Sequence, residues 1–306
     1  MKTATIVATT VIVLTSAAPA FAEAPDDQPF RHAVSTDLFA STDADNTEVY
    51  RAGVNLDLKY LGEEQLLGVR YEQAWYKPLG QRTRARERAF LRYADKGRDW
   101  AWTSQIGTDG HTVLGSASIH NNAKFRQEFF MERDLVETSR GVDEGIYYTF
   151  IGTALDLPVD QNNGFTLVGG VQEFTGKNVR LHARGTYIHS IKSDWGLSFQ
   201  LRSRYYHSTH PREFDYYSPR YYLQILPVIQ IRRYSGGWRY LLAGGIGGQR
   251  DAVTEWRQSR FAAAEISSPA NKRGWFIKAA AQYSNTPFRT GIYDYGQLTL
   301  GIGKRF

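Results

Sequence analysis

From Tyr50 to Tyr60 apolar and polar side chains alternate: Tyr50, Ala52, Val54, Leu56, Leu58 and Tyr60 fall on one side, Arg51, Asn55, Asp57 and Lys59 on the other. Successive side chains of a strand point to opposite faces, whereas a helix repeats about every 3.6 residues. The register is therefore β, and its two faces meet different surroundings. The stretch is long enough to cross a bilayer at a tilt, with an aromatic at each end of its apolar face, as an interfacial belt requires.

The same pattern recurs. After a turn at Gly62-Glu63-Glu64, Leu67, Val69, Tyr71 and Trp75 oppose Gly68, Arg70 and Glu72. In residues 81–95, Ala85, Ala89, Leu91 and Tyr93 alternate with Arg82, Arg84, Arg86, Arg88 and Arg92. In residues 179–189, Val179, Leu181, Ala183 and Tyr187 oppose Arg180, His182 and Arg184; in 195–205, Trp195, Leu197, Phe199, Leu201 and Tyr205 oppose Ser198, Gln200, Arg202 and Arg204. In 275–283, Trp275, Ile277, Ala279 and Tyr283 oppose Lys278 and Gln282. Every apolar face is backed by a polar one, which fits neither a buried parallel sheet nor a helix.

Turn signals divide residues 31–306 into about sixteen segments, an even number as bacterial barrels have. The predicted fold class is all-β, a transmembrane antiparallel up-and-down β-barrel. Short connections at 96–99, 191–194 and 234–237 alternate with longer ones at 135–144, 207–218 and 285–291, the asymmetry of periplasmic turns and outer loops. Composition agrees: 19 Tyr, 16 Phe and 7 Trp stand beside 28 Gly, with only 2 Met, as in a chain that dilutes its apolar residues with polar ones and concentrates aromatics at interfaces.

Residues 1–22 read as a secretory leader, with Lys2, an apolar stretch from Ile6 to Leu14 too short to span a bilayer, and Ala20-Phe21-Ala22 as the cleavage pattern. Cleavage after Ala22 leaves a short periplasmic segment, 23–30, before the barrel. The chain has no cysteine, which excludes a lipid anchor at the cleavage point, structural disulfides and thiolate metal sites. Export to the outer membrane follows, with lipid and lipopolysaccharide as surroundings and no nucleic acid as partner.

If apolar faces meet lipid, the opposite faces line the lumen. That set holds Arg51, Arg70, Arg84, Arg86, Arg88, Arg180, Arg184, Arg202, Arg204 and Arg232, with Tyr206, Tyr222 and Gln224, against fewer acids such as Asp57, Glu72, Glu128 and Glu132. Two readings stay open. A basic lumen focuses the field on anions or acidic glycans; alternatively the arginines pair with acids across strands and fill a closed interior. His207, His210, Tyr216 and Tyr217 are placed in an outer-mouth loop. The terminal Phe306, with Ile302, Leu300 and Leu298 alternating before it, resembles the signal read by the barrel-assembly machinery; Lys304 departs from it.

The run Phe214-Asp215-Tyr216-Tyr217-Ser218-Pro219-Arg220-Tyr221-Tyr222, followed by Leu226-Pro227-Val228, Trp238 and Gly244-Gly245-Ile246-Gly247-Gly248-Gln249, resembles the carboxy-terminal barrel of the cellulose-synthase operon outer-membrane protein. More loosely it is similar to the poly-N-acetylglucosamine export porin. The resemblance covers residues 195–250 and implies a sixteen-stranded barrel that passes an exopolysaccharide to the surface. Those exporters place tetratricopeptide repeats before the barrel. Here no period of about 34 residues occurs, so a separate periplasmic repeat protein is the expected partner.

Other motifs weigh less. His207-Ser208-Thr209-His210 suggests a nucleophile and base, the basis for reading the chain as a lipid-modifying enzyme, but no orienting acid is near in sequence. Asp43, Asp45 and Thr47 have calcium-loop spacing, yet Glu48 stands where a glycine is required. Gly244–Gly248 is followed by no helix and is no dinucleotide fingerprint; these glycines suit bending and close strand packing, and Pro227 a bend or bulge. No catalytic residue, metal or cofactor is expected. The readings carried forward are a porin-like exopolysaccharide conduit, a closed barrel displaying loops for adhesion or phage, and an outer-membrane enzyme.

Overall fold

A computed structural model describes residues 32–288 and 291–306. The expected leader, 1–22, and the segment 23–30 lie outside the described residues. Sixteen strands follow: β1 Ala33–Asp43, β2 Glu48–Gly62, β3 Gln65–Lys77, β4 Arg84–Lys96, β5 Trp100–Thr108, β6 Val113–Asn121, β7 Gln127–Leu135 and β8 Tyr147–Pro158. The second half comprises β9 Asn163–Phe174, β10 Val179–Lys192, β11 Leu197–Ser208, β12 Tyr221–Ser235, β13 Trp238–Asp251, β14 Arg257–Ser267, β15 Trp275–Phe288 and β16 Gly291–Arg305. One short helix, α1 Ser139–Glu144, lies between β7 and β8.

Each strand pairs antiparallel with its sequence neighbours, and β1 closes on β16 in a register from Ala33↔Arg305 to Asp43↔Tyr295. His32 and Phe306 exchange both backbone hydrogen bonds, at 3.1 and 3.0 Å, beyond the end of that ladder. Closure leaves no unpaired sheet edge, which is the condition for strands to cross hydrocarbon. The fold is the all-β, up-and-down transmembrane barrel that the alternation predicts.

The outward face is apolar: Leu38, Val54, Leu91, Ile151, Leu242 and Leu300 are all exposed. A continuous apolar wall is foreign to a soluble surface and fits lipid. Exposed aromatics gather at both rims, Tyr50, Trp75 and Tyr205 at the far end and Tyr93, Phe165, Tyr240 and Trp275 at the end holding the termini. Lys304, the departure from the terminal pattern, points outward at this second rim, its ammonium 5.7 Å from the Trp275 ring centroid, where a long cation can snorkel to water over an aromatic.

Several local expectations change. Tyr60 does not belong to the lipid face: a register shift between Asp57 and Lys59 turns it inward, buried and stacked 6.2 Å from Phe276. Strict period two cannot anticipate such a bulge. Residues 285–291 are not a long loop, because β15 runs to Phe288 and β16 starts at Gly291. Arg82 precedes β4 and is exposed. Pro227 interrupts the β12–β13 ladder between Ile225↔Gly248 and Val228↔Gly245 without shifting its register. Gly245 permits the close approach there, since a Cβ would stand 2.3 Å from the Pro227 carbonyl oxygen.

Both long connections, 136–146 and 209–220, emerge at the far end; the opposite end has tight turns such as 63–64 and 236–237.

Candidate functional site

The interior divides into two sectors of different chemistry. In the first, β1–β4 and β7 bring arginines and carboxylates together on the face opposite the apolar row. Arg70 reaches Asp37 at 2.5 Å and Glu72 at 2.7 Å; Arg88 reaches Glu72 at 3.0 Å and Asp134 at 2.7 Å; Arg92 holds Asp57 at 2.6 Å. Arg88 is only 5% exposed. Buried charges persist only when paired and hydrogen-bonded, and this network meets that condition, with the Arg70 and Arg88 forks each spanning two carboxylates.

The same sector clamps the 136–146 connection. Arg51 pairs with Glu137, Arg84 grips Asp143 through Nε and Nη2 at 2.5 and 2.6 Å, and Arg86 donates to the Val142 carbonyl at 2.6 Å. Thr138 starts α1 by accepting the Gly141 N–H at 2.9 Å, and Gly145, at φ 71°, ends it in the left-handed region. Val142 then packs on Val49, Tyr76, Phe90 and Leu114 of the wall. Counting acids strand by strand misses these partners because they come from a loop folded into the mouth.

Arg86 also lies 3.2 Å from Asp109 in the 109–112 turn. Burial pushes the Asp109 carboxyl up, but hydrogen bonds from the Tyr147 hydroxyl and the His111 and Thr112 N–H groups, with the Arg86 charge, outweigh it and hold the group below its usual range. A carboxylate depressed on folding stabilises the fold above the unfolded value of about 3.9 and loses that contribution as pH falls through the folded value. Amide protection at His111 and Thr112 is expected to hold at neutral pH and collapse below about pH 4. An unchanged pattern in strong acid, or the same acid lability in Asp109→Asn, would contradict this.

The second long connection, 209–220, seals the other half of the far mouth. Asp215 accepts from Thr138 Oγ1 at 2.6 Å and from the Arg140 N–H at 2.8 Å, tying the two loops together. Tyr216 and Tyr217 are 3% and 8% exposed. Tyr216 stacks on Phe174 at 4.3 Å and accepts from Asn178 at 2.9 Å; burial pushes its hydroxyl up to about 12. Tyr217 donates to Asp251 at 2.6 Å; burial, then Tyr206 and the Asp251 carboxylate, push this hydroxyl far up, so it stays a donor. Arg180 donates to the Tyr217 carbonyl at 2.6 Å and lies over the Tyr206 ring at 4.6 Å, while Tyr206 stacks on Tyr222 at 5.0 Å. A guanidinium–aromatic layer thus closes this sector beneath the loop.

Below that layer Arg184, Arg202 and Arg204 face the interior. Among the described residues none of them forms an ion pair. Arg202 donates to Gln200 at 2.9 Å and lies 4.9 Å over Phe261; Arg204 lies over Tyr206 and Tyr222 at 5.6 and 6.0 Å. They line a cavity of about 190 Å³ with Gln200, Gln224, Gln230 and Phe261. A larger cavity of about 1050 Å³ opens at the end holding the termini, and the two share Thr166, Ile188, Arg232, Leu241 and Glu265 as wall. The two cavities therefore adjoin, the larger reaching from that end to the wall below the arginines.

The remaining predicted residues fall differently. His207 belongs to β11, not to the mouth loop, and stands across from Leu181 on the outward side. Its neighbour Ser208 is buried and faces inward, 3.4 Å from Arg180 Nε. The two cannot act as nucleophile and base, because adjacent strand residues point to opposite faces. His210 is in the loop, exposed, its ring 3.2 Å from Thr209 Oγ1. Asp43 Oδ1 accepts the N–H groups of Asp45 and Thr47 at 2.9 Å each, so its carboxylate shapes the turn. Phe306 is exposed at the rim.

Closed on itself, apolar outside and charged within, the molecule is a transmembrane β-barrel of the outer-membrane type. Among solved structures it is similar to one described as a bacterial polysaccharide outer membrane secretin, with a TM-score of 0.70 and 13% identity over 92% of this chain and 100% of that one. The likeness is one of fold. The Pseudomonas aeruginosa barrel OccK5 matches more loosely, with a TM-score of 0.45 and 10% identity over 90% of this chain and 98% of that one. No family model and no curated protein sequence matches the chain.

Proposed function

We propose that the chain is an outer-membrane conduit of porin type that carries an exopolysaccharide from the periplasm to the cell surface. The expected leader at residues 1–22 and the terminal Phe306 support delivery through the barrel-assembly machinery, and the tight turns at the end holding the termini support a periplasmic position for that end. The observation that carries the reading is the pair of adjoining cavities that extends from this end to Arg202, Arg184 and Arg204. The fold it shares with the polysaccharide secretin adds to it, and a periplasmic repeat protein would deliver the polymer. Arg84, Arg86 and Arg88 serve the wall and the loop clamp in this scheme; the arginines of β10 and β11 meet the cargo. Planar-bilayer recording is expected to show anion-preferring conductance that reverses in Arg202→Glu/Arg204→Glu. A barrel whose selectivity ignores that change is not this conduit.

A second reading rests on the tie between the two long loops through Asp215: a barrel permanently closed at its outer mouth, displaying the 209–220 loop to a surface partner. Silence in the bilayer both with and without that loop supports it.

A further inference from the structure

Arg184 of β10 and Arg204 of β11 are direct cross-strand partners, with Arg202 facing Thr186 one inward position nearer the periplasmic end. Like charges directly opposite each other in a sheet are destabilising. On β3 and β4, by contrast, no arginine faces another, and Asp37, Glu72, Asp134 and Asp57 answer Arg70, Arg88 and Arg92. Glu132 of β7 is the carboxylate whose field reaches Arg184, and it already accepts a hydrogen bond from Tyr148 at 2.6 Å. The Nε atoms of Arg184 and Arg204 are buried and have no hydrogen-bond partner, as is also true of Arg51, Arg70 and Arg88, but those three are ion-paired through their other nitrogens. Among the described residues no carboxylate lies within ion-pairing distance of Arg184, Arg202 or Arg204.

We infer that Arg184, Arg204 and Arg202 form a subsite for a carboxylated sugar residue, an inference that rests on the conduit reading and names its cargo as a uronate-bearing polymer. A guanidinium presents parallel N–H donors matched to a carboxylate. Around them the cavity offers what the rest of a sugar needs. Gln200, Gln224 and Gln230 supply amide donors and acceptors for hydroxyls, and Phe261 with Ala243 and Ala263 supplies an apolar wall for the C–H face of a ring. The wall continues into the larger cavity toward the periplasm, so one unit of a long chain can sit at the arginines while its neighbours trail below.

Titration calorimetry on the full-length barrel in detergent micelles tests this with three probes: a uronate oligosaccharide, a neutral glucose oligomer of the same length, and sodium sulfate. The uronate oligomer is expected to bind, Arg184→Gln and Arg204→Gln each to weaken it about tenfold or more, and Lys59→Gln, which removes an exposed cation on the lipid side, to change nothing. Arg184→Lys and Arg204→Lys keep the charge but lose the fork, and are expected to bind more weakly than the native chain. Unaltered heat-modifiable migration shows that each variant is folded. Equal binding of the neutral oligomer, sulfate as tight as the uronate, or indifference to the arginine changes would overturn the subsite. Binding in micelles requires no conduction: a silent barrel that binds uronate sinks the conduit and keeps the subsite, and a conducting barrel indifferent to uronate does the reverse.

Discussion

Replacing Asp215 with alanine is expected to raise the open-state occupancy of the barrel by two orders of magnitude or more, read as a steady conductance in planar bilayers where the native chain conducts weakly. The Asp215 carboxylate is buried and holds the 136–146 loop through Thr138 Oγ1 and the Arg140 N–H. A hydrogen bond to a charged group contributes about 1.5–3 kcal/mol, and each 1.4 kcal/mol is a factor of about ten in an equilibrium. Losing two such bonds unties the 209–220 loop from Thr138 and the Arg140 N–H, while its anchors to the barrel wall remain, among them Tyr217 on Asp251, Arg180 on the Tyr217 carbonyl, Glu213 on the Lys177 and Asn178 N–H groups and the stack of Tyr216 on Phe174. Asp215→Asn, which keeps an acceptor at lower strength, is expected to fall between the two. Equal conductance in the alanine variant and the native chain would show that the loop tie does not gate the barrel.

Glu72→Ala is expected to have the largest effect on stability. Glu72 bridges Arg70 and Arg88, both nearly excluded from solvent. Without it Arg70 keeps Asp37 and Arg88 keeps Asp134, but each loses half of its compensation in a setting of low polarity. Removing one member of a buried ion pair costs about 3–5 kcal/mol. The unfolding transition, followed by the loss of heat-modifiable migration on gels, should shift well below that of the native barrel. Glu72→Gln is expected to recover part of the loss through its remaining acceptor. A transition unmoved by either change would mean that water already solvates these guanidinium groups.

The barrel itself was legible from the alternation. In residues 50–58 and 67–75 it assigned each side chain to a face, because a closed sheet with lipid outside imposes one rule on every strand. It failed at Tyr60, where a one-residue bulge reverses the faces, and at residues 285–291, where turn-like composition gave no sign that two strands continue. The arginines were legible as inward-facing. Their separation into a neutralised group and an uncompensated one was not, because the neutralising groups Asp37, Asp134, Glu137 and Asp143 come from other strands and from a loop.

The sequence by itself determined the architecture, since a period of two with an apolar face in every segment can be satisfied only by a sheet whose outer side meets lipid and whose edges are joined. Tertiary structure alone decided which charges face which. Ring closure places β2, β4 and β7 around a common interior, and two long loops fold into one mouth to join Thr138 with Asp215. Alternation records only the side of the sheet on which a residue lies; the partner it meets across the lumen depends on curvature and loop path, which leave no periodic trace in the chain.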